Sequence, residues 1–374
     1  MKLQRTTRLR ALATGAVAVS GALALTACGT DDNTGGGSGD ASKAAGNITC
    51  AGEGNLLASG SSAQKNAMDV WVKNYQAACG ETQINYKPTG SGAGIQEFLQ
   101  GNTAFAGSDS ALEPKEVQAS KKVCESGQAI DLPMVGGTIA MVYNVSGVED
   151  LVLDPATAAK IFDSKITKWD DPAIKKLNPD ADLPSTRIQA FHRSDDSGTT
   201  DNFTKYLNAA APDAWPYEPA KKWAGKGGQS ADGSSGIATN VKQNDGAIGY
   251  VDLSYATGND LDTVKLDTGV GEPVEAGTEN ATKALGEAKI VGEGKDLALE
   301  LNYTPKIEGA YPMNLVTYEI VCDKGNKQDT LKAMKSFLSY TASEDGQAAL
   351  SEIDYTPMPD DIITKVRETV DGLS

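Results

Sequence analysis

One histidine, His192, serves the whole of this 374-residue chain. A Ser-His-Asp triad would depend wholly on it, and its place beside Arg193 on an expected strand reads as a packed or solvent-facing imidazole. No cysteine spacing suits a zinc site, so neither a metal nor a cofactor is expected. Basic residues are outnumbered, 34 against 50 acidic ones, for a formal net charge of −16. That balance excludes nucleic acid and anionic lipid headgroups as partners. The apolar run from Ala11 to Leu25 is too short and wrongly flanked for a stable membrane span. The run Gly90-Ser91-Gly92-Ala93-Gly94 lacks the full G-x-G-x-x-G, and no Walker lysine follows it.

What is present begins with a leader. Lys2, Arg5, Arg8 and Arg10 precede the apolar run, and Leu25-Thr26-Ala27-Cys28 follows. This reads as a secretory signal over residues 1–27, and Leu-Thr-Ala-Cys resembles the bacterial lipobox, with Cys28 as the lipidated residue. Residues 28–47 are Gly-, Ser-, Asp- and Ala-rich without apolar periodicity, and read as a flexible tether. Cys50, Cys79, Cys124 and Cys322 remain. An even count outside the cytoplasm suggests two disulfides, with three pairings open.

The rest alternates expected strands and helices, hence α/β. Polar Gly/Ser elements fall at the carboxyl ends of expected strands: Gly60-Ser61-Ser62, Gly90 to Gly94, Gly107-Ser108-Asp109 and Ser197-Gly198-Thr199. That edge is where open α/β sheets bind ligands. Arg193 precedes Ser197-Gly198-Thr199, which opens a helical pattern. A helix start with an Arg beside it suits a small oxyanion. Asp109 narrows the choice. A carboxylate facing an anion is favourable only if the anion brings a proton, as phosphate does and sulfate does not. Sites built for such a group reject analogues by roughly 10⁴-fold or more. Asp195-Asp196 reads as a solvated turn or a partner orienting Arg193. Trp169, Trp215 and Trp223 read as core or loop anchors, and Trp223 to Ser235 as a long loop.

With these motifs, the chain resembles the substrate-binding lipoproteins of bacterial high-affinity phosphate ABC transporters. The likeness also rests on Lys165-Ile166-Thr167-Lys168-Trp169-Asp170-Asp171-Pro172-Ala173-Ile174, on Leu177-Asn178-Pro179 and on Gly246-Ala247-Ile248-Gly249-Tyr250-Val251, and runs from about Asn55 to Val370. It implies a two-lobed type II periplasmic-binding-protein fold with a hinge and an interlobe ligand cleft. Lobe one would be 48–143 plus 311–374 and lobe two 144–310, with crossings near Asn144 and Tyr311-Pro312. The implied phosphate ligands are Ser62, where the family often has Thr, the Ala63 backbone, Ser91, Asp109, Arg193, Ser197, Gly198 and Thr199. Asp195 would hold Arg193. Cys50–Cys79 and Cys124–Cys322 would both lie within lobe one. The implied protein is a monomeric, non-enzymatic receptor, lipid-anchored through Cys28 to the outer face of the cell membrane. It would deliver inorganic phosphate to an ABC permease. The competing readings are an extracellular phosphatase and a surface module for another oxyanion.

Overall fold

β1 (Gly54–Gly60) is the first strand of a computed structural model that describes residues 48–374. The expected leader (1–27), the lipidated Cys28 and the tether (28–47) lie outside the described residues. α1 (Lys65–Ala78) follows, turning Ala67, Met68, Trp71 and Tyr75 inward at helical spacing. β2 (Thr82–Lys87), α2 (Ser91–Leu99) and β3 (Phe105–Ser108) complete a run in which β1 pairs in parallel with both β2 and β3. β4 (Ala129–Asn144) is long and buried along almost its whole length. Later come β5 (Gln189–Arg193), α3 (Gly198–Ala210), β6 (Gln229–Ala231), α4 (Gly233–Gln243), β7 (Ala247–Asp252) and β8 (Asn314–Cys322).

These strands form one sheet in the order β2-β1-β3-β8-β4-β7-β5-β6, with Asp262–Thr263 also paired to β4. The sheet has two halves because β4 changes partner. Its residues up to Thr138 run antiparallel to β8, and those from Ile139 run antiparallel to β7. The cores follow the halves. One cluster gathers Trp71, Tyr75, Phe98, Phe105, Met134, Ile320 and Phe337. Another gathers Tyr143, Phe162, Trp169, Phe203, Trp215, Tyr250 and Tyr311. Leu285, Leu297 and Leu299 pack with the first cluster.

Disulfides join Cys50 to Cys79 and Cys124 to Cys322, the pairing that the resemblance implied. Trp169 and Trp215 are buried in the second core. The expected loop from Trp223 to Ser235 is broken by β6, which gains its extended backbone by pairing Phe191–Arg193 of β5 with Gln229–Ala231. α4 then begins at Gly233. Among the described residues no helix is long and apolar enough to cross a membrane.

Candidate functional site

The carboxyl ends of β1, β3 and β5 carry Ser62, Asp109 and Arg193 to one place, and the first turns of α2, α3 and α4 meet them there. The polar contacts form a ring that closes through the Gly198–Thr199 backbone, with Ser234 and Ser62 joined to it through Arg193. Ser62 Oγ lies 3.0 Å from Ser234 Oγ and accepts the Ser234 N–H at 3.0 Å. Arg193 Nη1 donates to Ser234 Oγ at 3.4 Å and to Thr199 Oγ1 at 3.5 Å. Thr199 Oγ1 reaches Asp109 Oδ2 at 3.5 Å. Ser91 Oγ then accepts both the Asp109 N–H at 3.1 Å and the Gly198 N–H at 3.2 Å.

Arg193 is buried and held by a planar fork. Its Nε donates to Asp195 Oδ1 at 2.7 Å, and Nη2 pairs with Asp195 Oδ2. This leaves Nη1 aimed into the ring, a bidentate geometry that lysine could not reproduce. Gly233 N–H also donates to Asp195 Oδ1, at 3.2 Å. The same carboxylate explains Gly90. A Cβ at position 90, where φ is +89°, would run into Asp195 Oδ2.

Asp109 is 3% exposed. Its Oδ1 accepts the Thr317 hydroxyl at 2.8 Å, Oδ2 has a long contact to Thr199 at 3.5 Å, and the Ser61 hydroxyl also bonds the carboxylate. Burial raises its pKa above the ordinary carboxylate value, against the lowering effects of the Ser61 and Thr317 hydroxyls, the Arg193 charge and Thr199. With about four acceptor sites and three hydroxyl neighbours, the carboxylate keeps spare acceptor capacity in a desolvated place.

Two residues named from the sequence have other bonds here. Ser197 caps α3, its Oγ accepting the Thr200 N–H at 3.2 Å. The Ala63 N–H donates to Ser61 Oγ at 3.1 Å. Ser62, Ser91, Asp109, Arg193, Gly198 and Thr199 are brought together in the ring. Ser234 and Thr317 join the site without having been singled out, and Asn202 lies beside it, bonded to the Asp109 main chain. Asp232-Gly233-Ser234 carries the same small polar helix-start signature as Ser197-Gly198, and could have been found by it. Thr317 is one β-branched residue in a strand and gives no such signal.

His192 stays apart from this chemistry. Its ring stacks on Trp223 with centroids 4.9 Å apart, and burial lowers its pKa. Among the described residues no group of three or more His, Cys, Asp or Glu side chains could hold a metal ion.

The ring joins the two halves of the sheet. Further contacts cross the same seam. Tyr255 OH donates to the Ser62 carbonyl at 2.8 Å, Gly92 N–H to the Asp196 carbonyl at 2.9 Å, and Ser110 Oγ to Asp201 Oδ2 at 2.6 Å. Lys221 Nζ lies 3.7 Å from Glu113 and 3.6 Å from Glu116.

Residues 37–345 match the model of the PBP superfamily domain. Phosphate-binding protein PstS 3 of Mycobacterium tuberculosis is 41% identical over 361 residues, covering 96% of this chain and 97% of that protein. Phosphate-binding protein PstS of Haemophilus influenzae is 31% identical over 307 residues, covering 79% and 86%. Among solved structures, a high-affinity periplasmic phosphate-binding protein with bound phosphate, PfluDING, superposes with a TM-score of 0.69 at 21% identity, over 84% of this chain and 93% of that one. The phosphate-binding protein of Stenotrophomonas maltophilia superposes with a TM-score of 0.66 at 19% identity, over the same shares. These likenesses give the described residues a two-lobed type II periplasmic-binding-protein fold.

Proposed function

This chain belongs to the PstS phosphate-binding family of the PBP superfamily, and from that premise we propose that it captures inorganic phosphate by closing two lobes around it and hands it to an ABC permease. The lobes follow the two cores. They meet where β4 changes partner at Thr138–Ile139 and near Tyr311–Asn314, with Leu285, Leu297 and Leu299 on the first lobe. The boundaries expected from the sequence, 143/144 and 310/311, would instead have put Leu285, Leu297 and Leu299 in lobe two.

One observation carries the reading. A buried carboxylate with spare acceptor capacity, Asp109, faces a ring of donors led by an arginine that a second carboxylate locks in place. The ring contacts of Arg193 and Thr199 are long, 3.4 to 3.5 Å, so an oxyanion would take their donors in full hydrogen bonds at the expense of weak contacts only. Ser62 Oγ, Ser91 Oγ, Ser234, the Gly198 N–H, Thr199 and Arg193 supply donors. Asp109 Oδ2 accepts the phosphate proton. Ser197 acts through α3, which it caps, and Ala63 through the Ser61 turn that holds Ser62. Closure is the population shift that a ligand bridging both lobes produces.

The reading makes the protein a receptor, not an enzyme. A phosphatase needs an activated nucleophile, and the one histidine stacks on Trp223 outside the ring. Anchoring through lipid on Cys28, an extracytoplasmic place and a monomeric state complete the proposal. Trp223 lies one stacked ring from His192, the neighbour of Arg193, so tryptophan fluorescence reports the site. Titration with phosphate, sulfate and a phosphate monoester should give a saturable change with inorganic phosphate alone. Equal responses to sulfate would favour the general oxyanion module, and turnover of the monoester would favour the enzyme.

A further inference from the structure

Asn202 is an interior residue of α3 that is only 3% exposed. Asparagine is poorly suited to a helix interior, because its amide competes with the backbone. Here the amide is fully engaged. Nδ2 donates to the Gly198 carbonyl of its own helix at 2.8 Å and, across the seam, to the Asp109 carbonyl at 2.6 Å. Oδ1 accepts the Tyr303 hydroxyl at 2.5 Å. Tyr303 belongs to a segment that spans both cores, since Leu299 packs in the first and Tyr303 against the second. Next to this contact, Asp201 Oδ2 accepts Ser110 Oγ at 2.6 Å and Lys205 Nζ at 2.7 Å. A cavity of ≈ 630 Å³ adjoins these groups, and Asp109, Asn202 and Tyr303 are all in its wall.

We propose that Asn202, oriented by Tyr303, is a latch that forms only when the lobes close and that sets the rate at which phosphate leaves. The inference rests on phosphate capture by closure, as proposed above. Asn202 grips the main chain of Asp109 and not its carboxylate. It is therefore a positioning residue that acts on release and not on the choice of anion. Opening must break the Asn202–Asp109 bond, and re-closing is guided by an amide that Tyr303 already holds in place. In the open protein Asn202 keeps the Gly198 carbonyl of its own helix, so the Asp109 bond of the latch adds nothing to the stability of that state.

The test measures release of inorganic phosphate by stopped-flow tryptophan fluorescence in the full chain, with Asn202→Ala and Tyr303→Phe as variants. Each should speed release by about three- to tenfold, the range for one buried hydrogen bond. Association rates and the phosphate-to-sulfate preference should stay as in the unmodified protein. The phosphate-induced rise in Tm should shrink in Tyr303→Phe. A merely structural role would lower melting without phosphate and leave release alone. Tyr303→Phe carries the test if Asn202→Ala does not fold. Release at the unmodified rate in Tyr303→Phe overturns the latch. If the unmodified protein binds no phosphate, it is the proposed function that fails instead.

Discussion

Asp109 presents two oxygens with different duties. Oδ1 accepts the Thr317 hydroxyl at 2.8 Å, whereas Oδ2 lies 3.5 Å from Thr199, and the Ser61 hydroxyl also bonds the carboxylate. Burial makes an uncompensated charge there costly, and a proton supplied by the ligand relieves that cost. Asp109→Asn keeps the shape, because an amide oxygen can still accept from Thr317, but it turns the other atom into a donor. Phosphate then loses an acceptor for its proton, and sulfate gains a donor. The ratio of phosphate to sulfate affinity should fall by at least about tenfold, or about 1.4 kcal/mol. Calorimetric titration of both anions checks this, and an unchanged ratio would remove Asp109 from the discrimination. The pair of Arg193 and Asp109 was legible because each stands at a strand end beside small polar residues. Thr317 and Asn202 were not legible. Nothing in a strand or a helix interior marks which polar side chain will face a segment 208 or 93 residues away.

Helix starts do the work at the next scale. α2 and α3 approach each other head on through Ser91 and Gly198, and the approach is close because position 198 has no side chain. A Cβ there would lie 2.5 Å from Asp109 Cβ and 2.6 Å from Ser91 Oγ. These atoms belong to the opposite lobe, so the obstruction exists only in the closed form. Gly198→Ala puts a better helix former at the first position of α3, and the open protein should melt no lower than the unmodified one. Closure should suffer by about 1–3 kcal/mol, the usual cost of overpacking, seen as weaker phosphate binding in titration. Unchanged affinity with unchanged melting would show that the lobes do not meet at Gly198. The strand and helix order near these starts was readable from apolar periodicity. β6 was not, since Gln229–Ala231 carries no strand pattern of its own and owes its conformation to pairing with β5. Missing β6 meant missing the start of α4, and with it Ser234.

For the molecule as a whole, the buried carboxyl groups near the lobe crossing set the pH response. Asp252 caps the short helix Leu253–Thr257 through Oδ1, which accepts the Ser254 N–H at 3.0 Å and Ser254 Oγ at 2.6 Å. Its Oδ2 has no hydrogen-bond partner. Burial, with the charge of Asp109 adding, pushes its pKa up to about 8 against the helpful bonds from Ser254 and Tyr355. Glu319 on β8 takes the Gln64 amide on Oε1 and leaves Oε2 without a partner. Burial and Asp109 raise it to about 8 as well, against the Gln64 bond. Both groups titrate near pH 4 in an unfolded chain. Between about pH 4 and 8 the native state therefore holds protons that the unfolded state has lost. Their contribution is fully present below the unfolded pKa and is lost as pH rises through the folded one. Asp163 works in the opposite direction. Although desolvation opposes it, bonds from the Lys226 N–H, Lys165 and Tyr217 hold its pKa down, so its contribution is lost as the solution becomes strongly acidic. Stability should accordingly be greatest at mildly acidic pH and should decline toward pH 9. Urea unfolding at about pH 5.5, 7 and 8.5 would trace the slope. The double variant Asp252→Asn with Glu319→Gln should lessen it, because neither amide titrates while each keeps an oxygen for its existing donor, and Asp131 and Asp109, whose pKa values burial also raises, keep the remainder. A double variant with the unmodified slope would place the pH response elsewhere in the fold.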